Sequence, residues 1–483
     1  METRRLRRLL AAAALATAAV TAGTAAAVPP GDVRQATPAG LTPPLPWTAP
    51  LPAAPGSPLA PAQSGAAQSA GAQSAEVQRT QVQDGAGTDV RTAPFELDGA
   101  KLQATLDATH QAGMTGLFSA VRDGDASWQG ASGVADTATG RPVRADMRQR
   151  VGSITKTFVA TAVLQQVDRG RVRLDDPIAA YLPDLVPGPR GRQVTVRMLL
   201  DHTSGIGDYV PAAFPSLDDP SPASLDANRY RRLSPKQLVA WGLAAKPTGD
   251  PGQNWSYSNT NYVILGLLLE KVTGRSATDY ITANVIRRAG LRHTYFPGGD
   301  PVIHGPHPKM YESLYGVLDP PRDYSEYDMS WASTAGSLVS TADDLNHFYR
   351  DLLTGGLTSK DALAEMQKTV PVKDATGQTV LDYGLGIYAV NLPCGRFWGH
   401  DGLVWGAATQ SLTSQDGARQ LTFALNRARY QRLDGQGVPI PDPIDNALGA
   451  HALQALCGPS AADSIASGTT TRFLPLGFLT PNP

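Results

Sequence analysis

Ser153 and Lys156 stand three residues apart in Val151-Gly-Ser-Ile-Thr-Lys-Thr157, where an apolar run of helical period begins. Residues at that spacing share one helix face, a turn apart. A serine at a helix N-terminus sits in the positive end of the helix dipole. A neutral lysine amine beside it can accept the hydroxyl proton, while the dipole and nearby N–H groups favour the developing negative charge. The chemistry indicated is nucleophilic acyl transfer. S-x-x-K alone is common by chance, so it gains meaning only from companions further along the chain.

Two further constellations arrive in chain order. Tyr257-Ser-Asn259 lies within Asn254-Trp-Ser-Tyr-Ser-Asn-Thr-Asn-Tyr262, just ahead of a helix. A tyrosine near a cationic lysine is expected to ionise below its free pKa of roughly 10 and to serve as general base or proton shuttle. Asn259 offers a carboxamide to a substrate amide. The alternative is an aromatic-polar loop that caps the helix. His400-Asp-Gly402 follows Phe397-Trp-Gly399 on an expected strand. Gly402 lets a substrate backbone run alongside. His400 can join the proton network, and the Leu403 N–H can point at an oxyanion. The alternative there is an edge histidine beside a turn glycine.

These groups need elements to hold them. A helix is expected over 96–112, then a strand pair around Asp123-Gly-Asp125. Helices come next from Ser153 to Gly170, over 194–205, 235–245, 262–273 and 341–354. Residues 395–402 and 404–412 alternate toward a hairpin, Ser414–Gly417 turns, and 420–425 is a third strand. Helix 442–456 closes the region. Strands at both ends with helices between predict an α+β fold: one antiparallel sheet flanked by helices, with an inserted mainly helical subdomain.

The chain has 483 residues, of which 18% are charged, below the roughly 25% of typical globular proteins. Residues 1–27 read as a signal peptide, with Arg4, Arg5, Arg7 and Arg8, an apolar centre from Leu9 to Val20, and Ala25-Ala-Ala27 for cleavage. A membrane anchor is the alternative, but the run is short and alanine-rich for a span. Export is therefore expected. Cleavage takes away four arginines and one glutamate, moving the formal charge from −1 to −4. Such a balance carries no footprint for nucleic acid or an anionic membrane. Residues 28–94, rich in Pro, Ala, Gln and Ser, read as a disordered tether or pro-segment. The ordered domain is expected over 95–458, with 459–483 a tail open to processing. Cys394 and Cys457 are the two cysteines, and such a pair in an exported protein usually forms a disulfide. Metal ligation is the alternative, without C-x-x-C or H-E-x-x-H spacing to support it. His304 and His307 flank Gly305-Pro306 in an expected loop and carry a weak metal reading.

The order S-x-x-K, Y-x-N, H-x-G resembles the serine β-lactamase and D,D-peptidase superfamily. So do Leu199-Leu-Asp-His-Thr-Ser-Gly205, Ser330-Trp-Ala-Ser-Thr-Ala-Gly336, Tyr383-Gly-Leu-Gly386, Cys394-Gly395 and Ala455-Leu-Cys-Gly458. The chain is most similar to exported D-alanyl-D-alanine carboxypeptidases with a class C β-lactamase-like fold. That resemblance implies Ser153 as nucleophile, Lys156 as its activator, Tyr257 as proton relay, Asn259 on the acyl side, and His400 where lysine often stands. It implies an oxyanion hole from the Ser153 and Leu403 N–H groups, with Asp401 and Gly402 beside the substrate. It places Trp331 at the cleft, where core packing is the alternative, and has His202 hold a loop. It implies a Cys394–Cys457 disulfide. No metal or organic cofactor is needed. The implied enzyme is a penicillin-binding serine hydrolase acting on a small peptide, ester or amide, with peptidoglycan among the candidate partners, and a monomer is expected.

The chain departs from that branch at two positions. The carboxypeptidases bind a terminal carboxylate with a hydroxyl inside H-x-G and an arginine just after Y-G-L-G-L. Here Asp401 and Tyr388 stand at those positions. Two like charges about 4 Å apart repel by roughly 4 kcal/mol at an effective dielectric of 20, about three decades in affinity. Arg396 is the nearest candidate to compensate. Substrates without that anion escape the penalty, which admits an esterase, a D-amino-acid amidase or aminopeptidase, or a β-lactamase on the same site. A non-catalytic binder of wall peptides is the alternative of another class.

Overall fold

Both ends of the folded chain supply strands to one nine-stranded antiparallel sheet. The N-terminal side gives β1 (Gly116–Asp123), β2 (Ala126–Asp136) and β3 (Arg141–Pro142). The C-terminal side gives β4 (Val370–Lys373), β5 (Thr379–Tyr383), β6 (Tyr388–Leu392), β7 (Gly395–Val404), β8 (Ala407–Ser414) and β9 (Arg419–Leu425). Their spatial order is β3-β2-β1-β9-β8-β7-β6-β5-β4. The two halves meet where Leu117 faces Leu425 and Asp123 faces Arg419. The α+β class expected from the sequence is the one observed.

The computed structural model describes residues 96–458, apart from 219–220, 375–376 and 436. All of them belong to one compact unit spanning 85–483. The expected signal peptide (1–27), tether (28–94) and tail (459–483) lie outside the described residues.

Helices α1 (Gly99–Gln111) and, at the far end of the chain, Pro443–Cys457 cover one face of the sheet, where Leu102, Leu106, Leu448 and Leu456 pack with Leu117 and Leu421. Asp98 caps α1 by accepting from the Lys101 N–H at 3.0 Å. The other face carries the inserted helical part. Helix α2 (Thr155–Asp168) is buried on every side from Thr155 to Gln166, which marks it as an interior helix. Helix α3 (Asn259–Thr273) and α4 (Ala342–Leu353) also belong to this layer; Thr341 caps α4 through the Asp344 N–H. Phe158 of α2 stacks on Phe348 of α4, ring centres 3.7 Å apart. The helix at Pro443–Cys457 is α5.

Two local expectations change. The helix expected over 194–205 is only Val196–Leu200. His202 has φ 63°, a left-handed conformation that a right-handed helix does not accommodate. Asp201 instead accepts from the backbone N–H and hydroxyl of Thr203, at 3.0 and 2.6 Å. Strands β4 to β6, absent from the sequence reading, extend the sheet beyond the His400 strand. Cys394 and Cys457 are disulfide-bonded and tie the β6–β7 turn to the end of α5, as the resemblance implied. No described helix is long and apolar enough to cross a membrane.

Candidate active site

Two glycines bring the Ser153 turn against β7. Ser153 sits in a single 3-10 turn, Gly152–Ile154, that runs into α2. Gly152 has φ 53°, and a Cβ there would lie 2.7 Å from the Leu403 nitrogen. A Cβ on Gly402 would lie 1.9 Å from the Val151 carbonyl oxygen and 2.8 Å from the Ser153 nitrogen. Only bare glycine lets the two backbones approach so closely. The β6 ladder stops at Tyr388–Gly399, so the His400–Val404 edge of β7 faces this turn. The Ser153 and Leu403 amides are thereby set side by side.

Lys156 is fully buried, and its Nζ donates to Ser153 Oγ at 3.0 Å, Asn259 Oδ1 at 2.8 Å and Ala335 O at 2.7 Å. Two of those partners only accept; the serine hydroxyl can also donate. A deprotonated amine keeps both fixed acceptors and turns its lone pair to Ser153. Burial pushes the Lys156 pKa down to about 7, against the pull of Asp208 and Asp401. The expected serine–lysine pair is therefore present, and its lysine titrates close to physiological pH.

Asp208 orders the other side of the lysine, and the sequence reading missed it. Its Oδ2 accepts from the Asn259 backbone N–H at 2.7 Å and side-chain Nδ2 at 2.9 Å; Oδ1 accepts from the Val210 N–H at 2.7 Å. Burial raises its pKa, and these N–H groups oppose the rise. The only signal in the sequence was a carboxylate in the loop after His202-Thr-Ser-Gly205.

Tyr257 is placed at the site but not in the state expected. Burial pushes its phenol well above the usual range, with the Ser153 hydroxyl working the other way. Its ring faces Lys156 Nζ, 4.8 Å from the ring centre, and its hydroxyl makes no closed hydrogen bond. The expectation of easy ionisation fails because burial of the phenol disfavours the phenolate more than its neighbours favour it. His202 packs against the tyrosine ring, centres 4.3 Å apart, and holds the loop by accepting from Ser258 N–H and Asn261 Nδ2, both at 3.2 Å.

His400 is fully buried, with its pKa lowered to about 3 by desolvation and then by Lys156. Nδ1 lies 2.5 Å from the Asp401 carbonyl oxygen, which can only accept, so Nδ1 carries the proton. Nε2 therefore accepts from the Tyr383 hydroxyl at 2.9 Å. Both ring nitrogens are engaged, so His400 connects to the site through Tyr383 and not by direct exchange with Ser153. Asp401 is 7% exposed and its charge is felt at both Lys156 and Tyr257. Tyr388 is buried with its hydroxyl accepting from Gln410 Nε2 at 3.2 Å. Arg396 pairs with Asp382 at 2.8 Å and stacks on Trp398. It is thus committed away from the compensating role considered for it.

A cleft opens from Ser153 and Asn259 past Leu403, with Trp331 in its wall. Trp331 serves both readings: half-buried, it packs on the core and also lines the cleft. Among the described residues no group of three or more metal-ligating side chains occurs, and His304 pairs with Asp300 at 2.6 Å.

The family model for beta-lactamases matches residues 100–430. The protein belongs to the beta-lactamase family. Within that family it is similar in structure to a D-stereospecific amidohydrolase from Streptomyces sp., 36% identical with a TM-score of 0.65 over 75% of this chain and 99% of that one. A D-amino acid amidase from Ochrobactrum anthropi SV3 is 25% identical, TM-score 0.58, over 68% of this chain and 91% of that one. Among curated relatives, penicillin-binding protein 4* of Bacillus subtilis (strain 168) is 27% identical over 67% of this chain and 70% of its own length. Esterase EstB of Burkholderia gladioli is 33% identical over 43% of this chain, which spans 55% of the esterase. Members of this beta-lactamase-related group are serine hydrolases, and the chain is one by membership.

Proposed function

We propose that the protein is an acyl-serine amidohydrolase acting on D-amino-acid amides and peptides whose leaving end carries no free carboxylate. The observation that carries this reading is Asp401, a carboxyl group whose charge reaches both Lys156 and Tyr257 at the position where a carboxypeptidase of the resembling branch carries a hydroxyl. The likeness to a D-stereospecific amidohydrolase over nearly all of that chain supports it. The carboxypeptidase reading, first on overall resemblance, yields to it on charge.

In this reading neutral Lys156 takes the Ser153 hydroxyl proton as Oγ attacks the substrate carbonyl carbon. The carbonyl oxygen becomes an oxyanion held by the Ser153 and Leu403 N–H groups, and Asn259 holds the acyl half. Tyr257, a neutral phenol, gives its proton to the leaving nitrogen and regains one from Lys156. The C–N bond breaks, amine or ammonia departs, and an acyl-serine remains. Water then attacks with its proton passing to Lys156, releasing the acid and restoring Ser153. Esters undergo the same steps, and the likeness to EstB makes them the second substrate class.

We also place the protein outside the cytoplasm, on its basic-then-apolar start and the Cys394–Cys457 bond. The functional reading is tested by comparing hydrolysis of D-phenylalaninamide with that of a peptide ending in D-alanyl-D-alanine, using Ser153→Ala as control. The amide should be the better substrate by at least about 10²-fold, from the repulsion between like charges. A preference for the carboxylate-ended peptide would refute it. Activity that persists in Ser153→Ala would refute the acyl-serine route, and a complete biological effect of that variant would favour the non-catalytic binder.

A further inference from the structure

The cleft does not end at the nucleophile. Two residues beyond Leu403 along the chain, about 7 Å at strand rise, Trp405 turns into the same cleft. Its ring lies 5.3 Å from that of Trp331, and Phe214 closes edge-on against both, at 5.1 and 5.3 Å. Over the Trp405 ring, 4.5 Å from its centre, sits the Arg429 guanidinium, which also lines the cleft. An apolar wall therefore leads from the reacting centre to a cation.

That cation is fixed but not fully used. Arg429 Nη1 donates to Glu312 Oε2 at 2.8 Å. Glu312 is completely buried and anchored by the Leu314 N–H at 2.9 Å and the Gly406 N–H at 3.0 Å. The arginine's Nε and Nη2 make no hydrogen bond among the described residues, although its side chain is only 13% exposed. Guanidinium donors in a fixed plane match a carboxylate in two-point geometry.

The backbone at this end is strained. Leu314, Tyr315 and Arg429 have φ of 43°, 58° and 47°, a region that disfavours side chains with a Cβ, and all three line the cleft. The Tyr315 N–H donates to the Arg429 carbonyl at 2.8 Å, so the two strained residues hold each other. Strain of this kind persists where packing enforces it and gathers at binding sites.

We propose that the Arg429–Tyr315 end of the cleft is a subsite for an anionic group on the acyl half of the substrate. The arm that fits has an apolar segment against Trp331 and Trp405 and a carboxylate or similar anion beyond it. This deepens the acyl-serine reading and rests on it for the direction of the arm. The site is then polarised: Asp401 repels an anion on the leaving half, and Arg429 accepts one on the acyl half.

The test measures binding to Ser153→Ala, so that it stands apart from turnover. The probes are N-succinyl-D-phenylalaninamide, its succinyl methyl ester and N-acetyl-D-phenylalaninamide, each titrated by calorimetry. The free succinate should bind at least ten-fold tighter than the ester, and Ser153→Ala/Arg429→Gln should bind the two alike. Arg429→Lys should keep part of the preference, because it retains the charge and loses the fork. Adding Glu312→Gln to the Arg429→Gln protein removes the buried carboxylate as well, and a thermal melt matching the parent shows that loss of preference is not unfolding. Equal binding of succinate and ester to Ser153→Ala, or no measurable binding of either, overturns the proposal. So does a preference that survives Arg429→Gln. Failure of the acyl-serine reading would show separately, as wild-type hydrolysis of the acetyl probe that Ser153→Ala does not abolish.

Discussion

Asp208 grips Asn259 by two donors at once, the backbone N–H at 2.7 Å and the side-chain amide at 2.9 Å, both on Oδ2. With its nitrogen held there, the asparagine must turn Oδ1 to Lys156, at 2.8 Å. One carboxylate thus fixes the lysine's partner and, through its charge, helps set the lysine's proton affinity.

Asp208→Asn places an amide nitrogen opposite the Val210 or Asn259 donors, and so loosens Asn259. We expect kcat to fall by about 10²-fold, as for a misplaced catalytic group. Asp208 favours charged Lys156, so its loss lowers the lysine pKa. The rising limb of kcat/KM against pH should move to lower pH, which a pH–rate profile would reveal; an unmoved limb would show that Asp208 acts only on folding.

For the wild type, that limb should lie at about pH 7. Lys156 must be neutral to take the serine proton, so activity rises as pH increases through its pKa. Lys156→Arg, charged at every accessible pH, should lose about 10³-fold or more and show no such limb.

Gly402→Ala tests the close approach of the two backbones. Its methyl would fall 1.9 Å from the Val151 carbonyl oxygen, forcing β7 away from the Ser153 amide. Misaligned oxyanion donors should cost about 10²- to 10³-fold in kcat. Steady-state kinetics beside a thermal melt separates that from a general loss of fold.

Asp401→Ser should reverse the charge discrimination. Turnover of a carboxylate-ended peptide relative to D-phenylalaninamide should rise by up to about 10³-fold, the decades lost to like-charge repulsion. An unchanged ratio would remove Asp401 from substrate selection.

Breaking the Cys394–Cys457 bond, by Cys394→Ser with Cys457→Ser, should destabilise the protein by about 2–5 kcal/mol, read from denaturant unfolding. The bonded residues are 63 apart in sequence, a loop long enough for the constraint to matter.

What the sequence made legible was whatever depends on near neighbours. The Ser153–Lys156 spacing and the alternation through β7 to β9 act within a few residues, whereas Asp98, placed inside the expected helix 96–112, turned out to cap it. Asp208 was not legible, because its partner Asn259 is 51 residues away and no local pattern links them. The state of Tyr257 escaped for a related reason: its proximity to lysine is visible in the motifs, but burial of both groups is not. His400 was found, yet its engagement by Tyr383 depends on β5 and β7 lying in one sheet, and the short strands β4 to β6 carry little alternation. The early end of the helix at Leu200 turned on one left-handed residue, His202, a residue type that tolerates positive φ more than most but far less distinctively than glycine.

The pairing of β1 with β9 has a consequence for how the chain is made. Asn426, just past β9, reaches back to the Val134 carbonyl in β2, 292 residues earlier. Contacts of such sequence separation form late and slowly. A ribosome that has released only the first two thirds of the chain has delivered Ser153 and Lys156 but not the strand that carries His400 and the Leu403 amide. A chain that stops short of β7 holds the nucleophile and its lysine without the oxyanion donor that the Leu403 amide contributes.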